Sequence, residues 1–123
     1  MSHGAAQHHP SELDDRFAKL VADTMQALAT PSRLRILGRL HTGPCSVGEL
    51  AEHVAMEPSA VSHQLRVLRH LGLVDGRREG RSVVYALHDE HVAQLLEEAI
   101  AHVEHLHPGH DAVAHGRLAG AAS

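Results

Sequence analysis

The chain has 123 residues and a formal charge of −4 with its 14 histidines neutral; aromatic residues make up 2% and tryptophan is absent, so a single modest domain must build its core from Leu, Val, Ile and Ala. The lone cysteine, Cys45, excludes an intrachain disulfide and a cysteine-rich zinc site, and reads better as a small buried hydrophobe than as a redox sensor. No apolar run approaches the roughly 20 residues of a membrane span, and MSHGAAQHHP lacks the basic and apolar regions of a signal peptide, so the expected compartment is the cytoplasm, with no membrane partner.

Residues 1–11 are rich in Ser, Gly, Ala and His and are expected to form a disordered His-containing arm ahead of a folded domain over 12–107. A first helix is predicted over 12–28, with Phe17, Leu20, Val21, Thr24 and Leu28 on its inner face. Thr30-Pro31-Ser32 interrupts it, and Pro31 suits the first turn of a second helix reaching Leu40. After the break at Thr42-Gly43-Pro44, Ser46 caps a short helix over 47–54, with Glu49 completing a capping box. Met56-Glu57-Pro58 forms a turn, Ser59 caps a further helix to about Leu71, and Gly72 stops it. Two short helices joined by a tight turn predict helix-turn-helix. Two strands follow, over 73–77 and 82–87, joined through Glu79-Gly80 into a hairpin that carries Arg77, Arg78 and Arg81. A long helix then runs from Asp89 to about Pro108, and 108–123 is a flexible His-containing tail. The expected fold is mainly α with a β-hairpin wing, a winged helix-turn-helix.

Charge is unevenly spread. Residues 33–81 hold eight arginines against five carboxylates, a balance of +3, whereas residues 1–32 carry −2 and residues 82–123 carry −5. A basic middle segment flanked by acidic ends suits a DNA-facing surface beside an acidic dimer or effector surface.

The last helix is the richest in chemistry. Val92, Leu95, Leu96, Ala99, Ile100, Val103 and Leu106 recur at helical spacing as one apolar stripe, and His91 and His102 border it on one flank. The eleven steps between those histidines span roughly 16 Å along the axis, too far for one ion within one helix. Two antiparallel copies would instead bring Asp89 and His91 of one chain beside His102 and His105 of the other, predicting a homodimer with two equivalent intersubunit metal sites. The plainer alternative is that Asp89 is an N-cap and the histidines are boundary residues of the seam.

The segments ALATPSRLRILGRL (27–40), SAVSHQLRVLRHLGLV (59–74), GRREGRSVVYAL (76–87) and DEHVAQLLEEAI (89–100) resemble the ArsR/SmtB family of metal-responsive winged-helix repressors, over roughly residues 13–107. The His-Gly pair near the amino terminus and the D-x-H and H-x-x-H spacing of the last helix resemble its nickel- and cobalt-sensing branch. The resemblance implies that the helix after Pro58 enters the major groove of operator DNA, with Ser59, Ser62 and His63 facing base edges and Arg66 near phosphate. Hydroxyl and imidazole groups suit base edges, and Arg66, Arg78 and Arg81 suit backbone charge. Val61, Leu65 and Leu68 line the opposite, core side. Gln64 stays open between base reading and a solvated surface, and Arg77 reads as solvated. The family's cysteine site is missing, because VGELAEHVA (47–55) contains no thiol.

Asp89, His91, His102 and His105 suit tetrahedral Zn(II) without help. Six-coordinate Ni(II) or Co(II) needs more donors: the Ser2 amine with His3, once Met1 is removed, is the preferred supplement, and His107, His110 and His115 are alternatives or simple metal buffers. Glu98 reads as solvated rather than as a second shell. The expected function is an apo-dimeric repressor released from its operator by Ni(II) or Co(II). The alternatives are a Zn(II)-responsive repressor or a His-rich metal store. No metalloprotease helix motif, nucleophile elbow or phosphate-binding glycine loop speaks for an enzyme.

Overall fold

The computed structural model describes residues 9–108. A 3-10 turn at Pro10–Glu12 precedes α1 (Asp15–Ala27), α2 (Pro31–His41), β1 (Cys45–Ser46), α3 (Val47–Val54), α4 (Pro58–His70), β2 (Val74–Glu79), β3 (Ser82–Leu87) and α5 (Glu90–Leu106). The three strands form an antiparallel sheet in the order β1-β3-β2. This is the expected winged helix-turn-helix, with α3 and α4 as the helix pair and β2–β3 as the wing.

Local chemistry sets most boundaries. The Asp14 carboxylate accepts from the Phe17 amide at 2.8 Å, so α1 starts at Asp15 rather than at Glu12, and Glu12 is spent on a separate capping box with His9. Thr30 caps α2 ahead of Pro31, and Ser46 and Glu49 cap α3 reciprocally as expected. For α4 the cap residue is Glu57, not Ser59: Pro58 holds the first helical position and forces its predecessor into extended backbone, which moves Ser59 into the first turn. At the other end Gly72, at φ 76°, lets the Leu73 amide reach back to the Leu68 carbonyl at 2.9 Å, closing the helix and turning the chain into β2. One short strand was not foreseen. Cys45 and Ser46 pair with Tyr85 and Val84, which welds the start of the helix-turn-helix to the wing.

The core gathers Ile36, Leu37, Leu50, Val54, Val61, Leu65, Leu68, Val74 and Cys45, all below 2% exposed. Buried Cys45 is thus the packing residue the composition suggested, and burial pushes its thiol above the usual range. The inner face expected for α1 is only partly realised: Ala27 is buried and Phe17, Thr24 and Leu28 are half-buried, but Leu20 and Val21 face out of the protomer. The α5 stripe divides likewise, with Val92 and Leu96 in the core and Ile100, Val103 and Leu106 more than half exposed. Leu20, Met25 and Leu34 are also exposed, so α1, α2 and α5 all carry large apolar side chains outside the core, and Leu34, Ile100 and Val103 line one apolar groove. Among the described residues no helix is long and apolar enough to cross a membrane.

Candidate DNA interface and metal centre

Helix α4 separates two faces. Val61, Leu65 and Leu68 are fully buried, while Ser59, His63 and Arg66 are exposed and Ser62 is half-buried at a cleft shared with Ser46, Gly48, Ser82, Val83 and Tyr85. The core side is therefore the one the sequence predicts, and the hydroxyl and imidazole groups point away from it. Gln64, left open by the sequence, is half-buried, and its side-chain oxygen accepts from Arg33 Nε at 2.7 Å.

The basic charge of the middle segment is less available than its count suggests. Arg33 holds Gln64, Arg35 donates to the Val54 carbonyl at 2.6 Å, and Arg39 donates to Thr42 Oγ1 and the Gly43 carbonyl. These arginines close helix ends and pin α2 to α3 and α4. On the wing, Arg77 is paired with Glu79 two residues along the same strand, whereas Arg78 and Arg81 are exposed and make no ion pair among the described residues. Wing geometry helps their display: Gly80, at φ 64°, makes the tip, and Gly76 leaves room for the Tyr85 ring, which would sit 2.9 Å from a β-carbon there.

At the start of α5, Asp89 serves two purposes at once. Its Oδ1 accepts from the Val92 amide at 3.2 Å as the N-cap, while Oδ2 lies 3.3 Å from His91 Nδ1. The Val92 amide, aided by the His91 and His88 rings, holds the Asp89 carboxyl below the usual carboxylate range, so an anionic oxygen is present at neutral pH. The N-cap and ligand readings of Asp89 are thus compatible. His91 is 90% exposed in its side chain, and His102 and His105 are exposed in the last turns of the same helix, with His107 at its C-cap. Among the described residues of one protomer, no three His, Cys, Asp or Glu side chains are gathered to hold an ion. Ser2, His3, His110 and His115 lie outside the described residues.

Two polar links were not anticipated. His41 Nε2 meets Glu97 Oε2 at 2.7 Å, joining the end of α2 to α5. His88 joins Asp75 at the base of the wing, with Nδ1 3.0 and 3.1 Å from the two carboxylate oxygens. Both pair residues far apart in sequence that no periodicity connects.

A helix-turn-helix with a cationic wing, a polar outward face on α4 and an uncovered apolar flank defines a DNA-binding transcriptional regulator of the winged-helix class. The family pattern described as "bacterial regulatory protein, arsR family" matches residues 30–75. The HTH-type transcriptional regulator NmtR of Mycobacterium tuberculosis is 63% identical over 111 residues, covering 89% of this chain and 92% of that protein. The solution structure of apo-NmtR matches with a TM-score of 0.68 at 64% identity, covering 83% of this chain and 87% of that one. The homodimeric winged helix-turn-helix DNA-binding domain from Mycobacterium bovis matches with a TM-score of 0.69 at 35% identity over 78% of this chain and 93% of its own. The chain belongs to the ArsR family of bacterial regulatory proteins, the metal-responsive winged-helix repressors that its motifs resemble.

Proposed function

We propose that this repressor acts in the cytoplasm as a homodimer that binds operator DNA when metal-free and releases it when Ni(II) or Co(II) occupies intersubunit sites on α5. One observation carries the reading: a charged Asp89 oxygen and His91 stand at one end of α5, His102 and His105 stand at the other, and exposed Ile100 and Val103 occupy the apolar face between. Burying that face against a second antiparallel helix brings both ends of the ligand set together. The donors are nitrogen and oxygen, which fits borderline divalent ions.

Each protomer would place α4 in one of two successive major grooves, about 34 Å apart. Ser59, Ser62 and His63 meet base edges, and Arg66, Arg78 and Arg81 meet phosphates. Gln64 keeps its amide group for DNA while its oxygen stays with Arg33. Metal at the seam favours a dimer with poorer half-site spacing, and linkage then requires DNA to weaken metal binding by the same factor, a coupling of about 1 to 3 kcal/mol. The bound ion supplies positive charge and fixed ligand geometry at the seam; this chain supplies the donors and the helices they move. The Ser2 amine and His3 raise the coordination number beyond four, with His107, His110 and His115 as the other donors at hand.

Fluorescence anisotropy on the chain's own upstream DNA at fixed salt, titrated with Ni(II), Co(II) and Zn(II), tests the reading. Release by nickel or cobalt and weakly by zinc supports it. Release chiefly by zinc assigns the tetrahedral quartet alone and removes the terminal donors. Absence of any salt-dependent, sequence-specific binding would instead leave a histidine-rich metal store. Deleting residues 1–4 without change in nickel affinity or coordination number removes Ser2 and His3 from the site.

A further inference from the structure

Helix α5 is anchored to its own protomer at one end and overhangs at the other. Val92 and Leu96 are in the core, whereas Ile100, Val103 and Leu106, which continue the same apolar stripe, are more than half exposed. Core contact therefore ends at Leu96, about 15 Å short of the last helical residue, Leu106. Beyond Leu96 a cleft of about 240 Å³ opens between α2 and α5, with Gly38 on its α2 wall and Ile100 on its α5 wall. A β-carbon at Gly38 would meet nothing within 4 Å, so no side chain fills the space beside it. A hydrogen bond bridges this cleft: His41 Nε2, at the end of α2, stands 2.7 Å from Glu97 Oε2, one residue past Leu96.

The other end of α2 holds the helix-turn-helix. Arg33, near its start, donates to Gln64 of α4 at 2.7 Å, and Arg35 donates to the Val54 carbonyl at the end of α3 at 2.6 Å. Between Arg35 and His41, the side chains of Ile36, Leu37 and Leu40 are buried, and a close-packed interior transmits strain rather than absorbing it. One core helix thus touches α5 through His41 and both helices of the DNA-binding pair through its arginines. As a stabilising pair the His41–Glu97 bridge contributes little, since its side chains are 36% and 58% exposed. Its place at the boundary between the anchored and overhanging parts of α5 gives it a different use.

We propose that the His41–Glu97 bridge passes the state of the metal site to the DNA-binding helices, by making the overhanging part of α5 move as one body with α2 and, through α2, with α3 and α4. The inference rests on the α5 seam site proposed above. In that site the anchored Asp89 and His91 of one protomer share an ion with the overhanging His102 and His105 of the other. With the bridge in place, restraining the overhang turns the whole protomer and shifts α4. With the bridge cut, the overhang tilts across the cleft alone, and the ion binds without moving α4. His41 and Glu97 are positioning residues that touch neither metal nor DNA.

The test uses the full-length protein at fixed pH and salt. Operator affinity is read by fluorescence anisotropy without metal, with Ni(II) and with Zn(II), and metal affinity of the free protein by chelator competition. His41→Ala and Glu97→Ala should each keep both affinities of the uncoupled states within about twofold of wild type, because the pair is partly exposed. Each should shrink the factor by which metal weakens operator binding by about threefold, and linkage requires the same loss in how far DNA weakens metal binding. The double variant should lose no more than either single one, and Glu97→Gln, which keeps an acceptor for the His41 ring, should lose less. A merely structural role would lower stability in urea and leave the coupling factor at its wild-type value. An unchanged factor in His41→Ala and Glu97→Ala, beside a His102→Ala variant that no longer responds to metal, would overturn the proposal. If neither ion releases the wild type, or His102→Ala is released equally well, the seam site itself fails and the proposal fails with it.

Discussion

Arg33 Nε donates to Gln64 Oε1 at 2.7 Å, so a side chain of α4, the second helix of the helix-turn-helix, is held from behind by α2. The contact spans 31 positions of sequence and is partly buried, where a hydrogen bond from a charged donor is worth more than at an open surface. A double-mutant cycle of Arg33→Ala and Gln64→Ala in urea unfolding should give a coupling of about 1 kcal/mol. Additive losses would show that the contact does not hold α4 in place. Operator affinity should fall less in Gln64→Ala than in the Ser62→Ala, His63→Ala double variant, because half of the Gln64 amide is already engaged within the protein.

The wing separates cations by what they already touch. Arg77 is paired with Glu79, while Arg78 and Arg81 are exposed without an ion pair among the described residues. If Arg78 and Arg81 neutralise phosphates, replacing either by Ala should weaken binding to specific and random DNA alike and lower the slope of log K against log salt by about 0.9. Arg77→Ala should change the slope less. Equal slopes for all three variants would mean that the wing does not reach the backbone.

How far the sequence could be read follows from the range of each interaction. Caps and stops at Ser46, Pro31 and Gly72 were legible because their chemistry is local, within about four residues. The core side of α4 was legible because Val61, Leu65 and Leu68 keep helical period. Leu20 and Val21 misled for the same reason: periodicity marks an apolar face but not whether that face meets its own protomer or another. Arginines 33, 35 and 39 read as part of a DNA-facing surface, and only the fold shows them spent on Gln64, Val54 and Thr42. The His88–Asp75 and His41–Glu97 links, 13 and 56 positions apart, had no local signal at all.

Ala55 ends α3 in the left-handed region, at φ 56° and ψ 49°, inside the turn of the helix-turn-helix. An L side chain there costs roughly 1 to 2 kcal/mol, a cost that glycine escapes. Ala55 is exposed, so removing its methyl leaves no cavity. Ala55→Gly should therefore raise stability by about 0.5 to 1 kcal/mol, read by thermal or urea unfolding at fixed protein concentration, since a dimer's melting point moves with concentration. A loss of stability would mean that the added freedom of the unfolded chain outweighs the relieved strain.

Asp89 combines a cap and an anionic oxygen, and two substitutions separate them. Asp89→Asn keeps a capping oxygen for the Val92 amide but no charge; Asp89→Ala keeps neither. The first should retain the helix content of α5 and lose at least about 10-fold in nickel affinity, whereas the second should lose affinity and also lower the melting temperature. The pH dependence has the same origin. The Val92 amide holds the folded-state pKa of Asp89 below its ordinary value, so its contribution to folding is present above the ordinary carboxylate pKa and is lost as pH falls through the folded value. Acid titration followed by the Val92 amide resonance should thus show wild-type α5 fraying at its start below about pH 4, the usual carboxylate range, while Asp89→Asn stays flat there. A Val92 amide that moves identically in both proteins would assign the transition to another carboxylate and leave Asp89 without a capping role.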